Sequence, residues 1–230
     1  MCGRYADPRE EDIIEAFDVQ KVTARREASR AIAPTDLVRI VVEDAAAAKR
    51  EERPVVRELR LARWGLVPSW AKALDKRNLL INARAETVTV KPSFRVAAAR
   101  RRAIVPAIGY YEWTTENGRK IPYFLHAPDD SVLGFAGLYE WWRVPEGLSL
   151  PGVEDGWLCS MTIITRPAAD DIGQIHDRMP VVVPPALVDT WLDPALTDPA
   201  QVEEVLAAVP NPQLVPTKAD PRSATPGEQA

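Results

Sequence analysis

Sulfur and imidazole are scarce in this 230-residue chain, which has two cysteines, Cys2 and Cys159, and two histidines, His126 and His176. Two cysteines are too few for a disulfide framework, and only four such ligands spread along the chain argue against a metal centre. Long apolar runs are missing too: none approaches the ~20 residues that span a bilayer, and the start lacks the apolar stretch of a secretion signal. No metal, no cofactor and no membrane are therefore expected, and the protein is expected in the cytoplasm as a monomer. Nothing in the middle reads as an interdomain linker. One domain over residues 1–210 is expected, followed at 211–230 by a Pro-rich, polar tail without enough apolar residues to pack.

Net charge is also small, formally −4, which speaks weakly against a nucleic-acid partner. The charge is uneven, however. From Arg60 to Arg102 there are eleven Lys or Arg and only two acids, Asp75 and Glu86. That imbalance fits a face that meets a polyanion, or else an ordinary solvated basic surface.

The chain opens Met1-Cys2-Gly3-Arg4-Tyr5. Removal of Met1 would leave Cys2 with two nucleophiles on one residue: an α-amine of ordinary pKa about 7.7–8 and a thiol near 8.5. Such a 1,2-aminothiol attacks an aldehyde through nitrogen and closes a five-membered thiazolidine through sulfur. The alternative is a chance cysteine at a frayed end.

Asp7 as cap, Pro8 at the first helical position and Glu10 predict a helix with Ile13, Ile14 and Phe17 inward. Leu37–Val42 reads as a strand, residues 44–54 as an exposed insertion, and residues 58–61 as a half-buried strand. Trp64-Gly65-Leu66-Val67-Pro68-Ser69-Trp70 is a shaped loop, with Trp64 expected in the core and Trp70 at the surface as a stacking platform for bases. Asn82, Arg84 and Glu86 alternate and would share one face of a strand. Further on come a turn at Gly118, a strand over 121–125, a strand-pair region over 132–142, a loop over 145–156 and a strand over 158–165. Helices are predicted at 185–192 and, capped by Asp198, from Pro199.

Two stretches gather proton-handling groups. Glu112 lies among Tyr110, Tyr111 and Trp113, where burial would raise its pKa to suit a general acid; an exposed carboxylate on a strand edge fits the motif equally. His176 stands beside Asp177 and Arg178, as a proton carrier or as a structural histidine.

Six stretches in order, MCGRY at 1–5, WGLVPSW at 64–70, INARAET at 81–87, PSFR at 92–95, GYYEW at 109–113 and IHDRMP at 175–180, resemble the SRAP family of SOS-response-associated peptidases, known as abasic-site processing proteins. The resemblance implies a single α+β domain on a strongly bent, barrel-like mixed β core flanked by short helices. It implies an abasic-site sensor in the DNA damage response that crosslinks through Cys2 to abasic sites in single-stranded DNA. Asn82 would position Cys2, Glu112 would be the acid/base and His176 would assist proton transfer. Gly3, Arg4, Pro34, Trp70, Arg84, Trp113 and Thr165 would contact the DNA. The chain departs from the family pattern at Ile108, where the family usually has Asp, at Ala103, often Cys, and over residues 164–168, which bears on DNA preference more than on chemistry.

The imine that precedes ring closure also permits β-elimination, so strand-cleaving lyase activity is open as a side reaction. Two other classes remain: a cysteine or N-terminal-nucleophile peptidase using Cys2 and His176, and a non-catalytic single-stranded DNA binder.

Overall fold

In a computed structural model, which describes residues 2–75, 79–169 and 172–220, short helices surround a closed ring of strands. In chain order the elements begin with β1 (Tyr5–Ala6), α1 (Glu10–Phe17), β2 (Lys21–Val22), β3 (Leu37–Glu43), α2 (Ala45–Arg50) and β4 (Arg57–Trp64). They continue with β5 (Asn82–Arg84), a 3₁₀ turn at Ala85–Thr87, α3 (Arg95–Arg100), β6 (Arg102–Ala107), β7 (Gly109–Glu116) and β8 (Arg119–His126). Last come β9 (Leu133–Arg143), β10 (Val153–Glu154), β11 (Trp157–Pro167), α4 (Ile172–Ile175), β12 (Arg178–Pro180), α5 (Pro185–Leu192), α6 (Pro199–Ala208) and β13 (Val215–Lys218).

The ring closes through five strands. β4 runs antiparallel to β3, β3 to β6, β6 to β9 and β9 to β11, and β11 returns to β4 in parallel register, with Ser160 opposite Arg63 and Met161 opposite Trp64. The fold is thus the α+β barrel-like architecture expected. Alternation decides what fills it. Val38, Ile40, Ala62, Trp64, Val105, Phe135 and Met161 point inward, while Val41, Leu59, Ile104 and Leu138 point outward under α1, α3, α5 and α6. Burial on both faces explains why β3 reads as a nearly continuous apolar run.

Burial on both faces also corrects the half-buried strand expected at 58–61. Glu58 and Arg60 are buried along with Leu59, because they belong to an ion cluster at the far mouth of the barrel. Arg60 donates to Glu58 at 2.9 Å and to Asp44 at 3.1 Å, and Arg53 pairs with Glu58 as well. Residues 44–54 are correspondingly not a plain exposed insertion. Asp44 caps α2 by accepting from the Ala47 N–H, and Ala47 and Ala48 are buried.

Three more expectations change. α1 starts at Glu10 without a side-chain cap, because Asp7 is used elsewhere: it accepts from the Ser29 N–H at 2.5 Å and pairs with Arg39 at 2.6 Å. The region expected as a strand pair over 132–142 is, from Leu133 on, one long strand. Val215–Lys218, assigned from sequence to an unpacked tail, is strand β13 against β8, held by backbone hydrogen bonds while its side chains stay exposed. Residues 221–230 of that tail lie outside the described residues.

A second sheet, in the order β1, β7, β8, β13, covers one end of the barrel. Its β7–β8 hairpin turns on Asn117 and Gly118, both at positive φ, as the glycine at 118 predicts. At Gly109 a side chain is excluded, since a Cβ would lie 2.4 Å from the Phe124 ring and 2.6 Å from the Leu125 carbonyl. That close approach seats β7 on β8.

Candidate functional site

Cys2 is fully buried, in one cluster with Tyr5, Trp64, Tyr110 and Phe135 at the end of the barrel under the second sheet. The strand pairing places it there. Tyr5 lies opposite Tyr110, and the Tyr111 N–H donates to the Arg4 carbonyl at 2.9 Å, so the antiparallel register carries Gly3 toward Glu112. Edge-on aromatic contacts, Tyr5 to Trp64 at 5.4 Å and Tyr110 to Phe135 at 5.9 Å, pack the floor below.

Asn82 comes from β5, which pairs in parallel with β11 as Asn82 opposite Ile163. The Trp64 indole donates to the Ile81 carbonyl at 2.9 Å, so the core tryptophan fixes the residue before Asn82. From that position Asn82 Nδ2 donates to the Cys2 carbonyl at 2.9 Å. Its Oδ1 is buried with no hydrogen-bond partner among the described residues.

Glu112 is only 4% exposed, and burial raises its carboxyl pKa while His176 pulls the other way. Its surroundings differ from those expected. Strand alternation puts Glu112 on the face of Tyr110, toward the barrel, while Tyr111 and Trp113 lie on the opposite face, with the Tyr111 ring against Phe124 at 4.9 Å. The Cys2 thiol is pushed well above its ordinary value, by burial first and by the Glu112 charge second.

His176 follows α4. Its Nδ1 lies 3.0 Å from the Arg178 N–H and 2.8 Å from the Asp177 carboxylate, so a neutral ring can accept from the backbone and a protonated one can pair with Asp177. Arg178 is the residue the sequence reading left without a role. It forks onto Glu86 at 2.6 and 3.0 Å and donates to the Thr165 carbonyl at 2.6 Å, tying the histidine loop to the segment after β5. Asp177-Arg178 stands out in sequence as a dense polar pair, but only the fold supplies Glu86 as partner.

The residues assigned to DNA contact divide. Trp70 is 65% exposed, and Arg84 is exposed on β5. Gly3, Arg4, Pro34 and Trp113 are half-buried, and Arg4 Nε and Nη1 have no partner among the described residues. Thr165 is buried behind Arg178, its hydroxyl between the Ala83 carbonyl and the Arg178 guanidinium. The basic stretch divides as well. Arg60 and Arg101 pair with carboxylates, and Arg102 is spent on the carbonyls of Ala98, Trp191 and Asp193. Lys76 and Arg77 lie outside the described residues, which leaves Lys72, Arg84, Lys91, Arg95 and Arg100 as exposed cations. Cys159 sits at the opposite end of the barrel, and burial raises its thiol pKa to about 12.

Residues 1–222 match the family model described as SOS response associated peptidase (SRAP). The chain belongs to the SRAP family. Among its relatives, YoqW of Bacillus subtilis, named an abasic site processing protein, is 36% identical over 198 residues, covering 84% of this chain and 81% of that protein. HMCES of Gallus gallus, which carries the same description, is 34% identical over 154 residues, 57% of this chain and 44% of that protein. Among solved structures, a Bordetella bronchiseptica protein superposes with a TM-score of 0.76 at 24% identity, over 95% of this chain and all of that one, which bears on the fold alone. A phage-related protein of the same organism gives 0.68 at 26% identity, over 95% and 94% of the two chains. In this SRAP chain no helix among the described residues is long and apolar enough to cross a membrane.

Proposed function

We propose that this SRAP protein processes abasic sites in single-stranded DNA by forming a covalent thiazolidine between Cys2, once Met1 has been removed, and the ring-opened aldehyde of the lesion. The observation that carries the reading is the placement of Cys2: its carbonyl is tied to Asn82 and its thiol lies within the electrostatic reach of a buried, high-pKa Glu112. The names of its relatives supply the substrate.

The neutral α-amine attacks the aldehyde carbon, and a C–N bond forms. Protonated Glu112 gives its proton to the carbinolamine hydroxyl, which leaves as water, and a protonated imine remains. The thiol then adds to the imine carbon, a C–S bond forms as the C=N π electrons return to nitrogen, and the thiol proton goes to the Glu112 carboxylate. Aldehyde and aminothiol become thiazolidine and one water. Because amine and thiol share one Cα, ring closure has the effective molarity of an intramolecular reaction. Asn82 Oδ1, with no partner among the described residues, accepts from the amine or the carbinolamine hydroxyl.

A peptidase reading has less support. A cysteine peptidase holds its thiol down beside an imidazolium. Here burial and Glu112 push the Cys2 thiol up, and His176 Nδ1 is engaged within its own loop.

The test combines the purified protein with a single-stranded oligonucleotide carrying one abasic site, followed by denaturing electrophoresis and intact mass. A denaturation-resistant adduct is expected with wild type and none with Cys2→Ala, while Cys2→Ser is trapped only under reductant. An adduct formed by protein that still carries Met1 would sink the thiazolidine chemistry.

A further inference from the structure

Closing a thiazolidine moves a proton as well as forming a bond. Burial holds the Cys2 thiol in its protonated form, so the S–H proton must leave as sulfur adds to the imine carbon, on a residue with no solvent exposure. Where the thiol points therefore matters. The strand register sets Gly3, one residue on from Cys2, against Glu112, while the Arg4 N–H donates to the Cys2 sulfur and draws it back toward β1.

Tyr110 projects into that end of the barrel from β7. Tyr5 exchanges its backbone N–H and carbonyl with Ile32 on its other side, which makes Tyr5 and Tyr110 a non-hydrogen-bonded pair, the kind whose side chains lie closest. Both rings meet Phe135 edge-on, at 6.2 and 5.9 Å. Tyr110 and Glu112 are two residues apart on one strand, so they share a face.

The Tyr110 ring is fully buried, and its hydroxyl has no hydrogen-bond partner among the described residues. Buried hydroxyls are ordinarily paired. Of the charges that act on this one, that of Cys2 comes first and that of Glu112 second. The Tyr5 hydroxyl is also without a partner among the described residues, but Asp7 and Arg26 act on it ahead of Cys2. Of the two tyrosines, Tyr110 is the one turned to the reacting groups.

We propose that the Tyr110 hydroxyl carries the thiol proton to Glu112 during ring closure, as a further proton-handling group of the site. The assignment rests on the thiazolidine reading above and deepens it. As the C–S bond forms and the C=N π electrons return to nitrogen, the thiol proton passes to the Tyr110 oxygen while the proton of Tyr110 passes to the Glu112 carboxylate. Tyrosine ends as it began, and Glu112 regains the proton it gave up to expel water. A hydroxyl accepts and donates at once; a phenyl ring does neither. Burial and the two neighbouring charges push the phenol pKa up, so the group stays un-ionised and works by exchange alone. Imine formation, which uses the amine, does not need this path.

The experiment uses the full chain freed of Met1 and a single strand carrying one abasic site, in single-turnover time courses quenched with borohydride in denaturant and then treated with iodoacetamide. Borohydride fixes the imine with its Cys2 thiol free, whereas the ring holds that thiol. Intact mass separates them, because the reduced imine is alkylated at Cys2 and Cys159 and the ring adduct at Cys159 alone. For Tyr110→Phe, imine formation is expected to stay within about two-fold of wild type and conversion to the ring to slow about 100-fold, the lower end of what a positioned proton carrier supplies. The longer-lived imine should also give more strand cleavage by β-elimination. Melting should be unchanged or higher, since an unpaired buried hydroxyl is gone. Tyr5→Phe should close the ring at the wild-type rate. Conversion in Tyr110→Phe within about two-fold of wild type overturns the relay. So does an equal slowing of both steps, which a merely structural role would give, or a Tyr5→Phe that behaves like Tyr110→Phe. Wild type that gives only reducible imine, or no adduct, overturns the thiazolidine reading and the relay with it.

Discussion

Removing the amide of Asn82 tests how much of the chemistry depends on holding Cys2 still. Its Nδ2 makes the one side-chain hydrogen bond described to the Cys2 carbonyl, at 2.9 Å, on a residue with no solvent exposure. In Asn82→Ala that carbonyl loses its donor where water does not readily replace it, a cost of about 1–3 kcal/mol. If the cost falls on the placement of Cys2 for attack, crosslinking slows by roughly 5–150-fold at about 1.4 kcal/mol per decade. Asn82→Asp should be worse than Ala. It keeps the volume, sets a carboxylate oxygen against a carbonyl oxygen, and adds a negative charge that raises the Glu112 pKa further. The assay is a single-turnover time course of adduct formation at saturating abasic single strand, quenched in denaturant and resolved by electrophoresis. A rate for Asn82→Ala within two-fold of wild type, or an Asp variant faster than Ala, refutes the positioning role.

Glu112→Gln should slow adduct formation and change its pH profile: wild type gives a bell, rising as the α-amine deprotonates and falling as Glu112 ionises, and the variant loses the falling limb. It should also raise stability near neutral pH and leave it unchanged below about pH 4. Above the ordinary Glu pKa of about 4.3 the unfolded chain is ionised while burial holds the folded carboxyl toward its protonated form, a penalty the amide lacks. Melting curves across that range decide it, and an equal shift at both ends contradicts the reasoning. Asp7→Asn leaves Arg39, which is 1% exposed, without its carboxylate. A loss of about 3–5 kcal/mol follows, or roughly 6–20 °C in Tm for a chain of this size. A calorimetric shift under 2 °C would mean that the pair contributes little.

The sequence already contained the parts that depend on local order. Cys2 behind Met1, the Gly118 turn, the Asp198 cap with Pro199 inside it, the core Trp64 and the surface Trp70 are each legible, because capping, turn chemistry and the fit of an indole to a rigid loop act over a few residues. Charge was legible only as composition. The run from Arg60 to Arg102 reads as one basic face, yet a β-strand sends successive side chains to opposite sides. Arg60 went into an ion cluster, Arg102 onto carbonyls, and Arg63 into a buried position where its Nη1 has no partner among the described residues.

What composition and spacing determined was the set of reactive groups and, through the order of six motifs, the family to which the chain belongs. What only the tertiary structure decided was their company. Cys2 meets Asn82 across 80 residues of chain, and Arg178 meets Glu86 across 92, through strand pairings whose partners no local pattern specifies. The same holds for β13: a segment with four exposed side chains has no apolar signal to read, and it is ordered because the edge of β8 offers unpaired backbone groups that it satisfies. Local preferences act along the chain, whereas burial and hydrogen-bond satisfaction act between segments brought together, so the candidate nucleophile and acid could be picked out in the sequence and their environment could not.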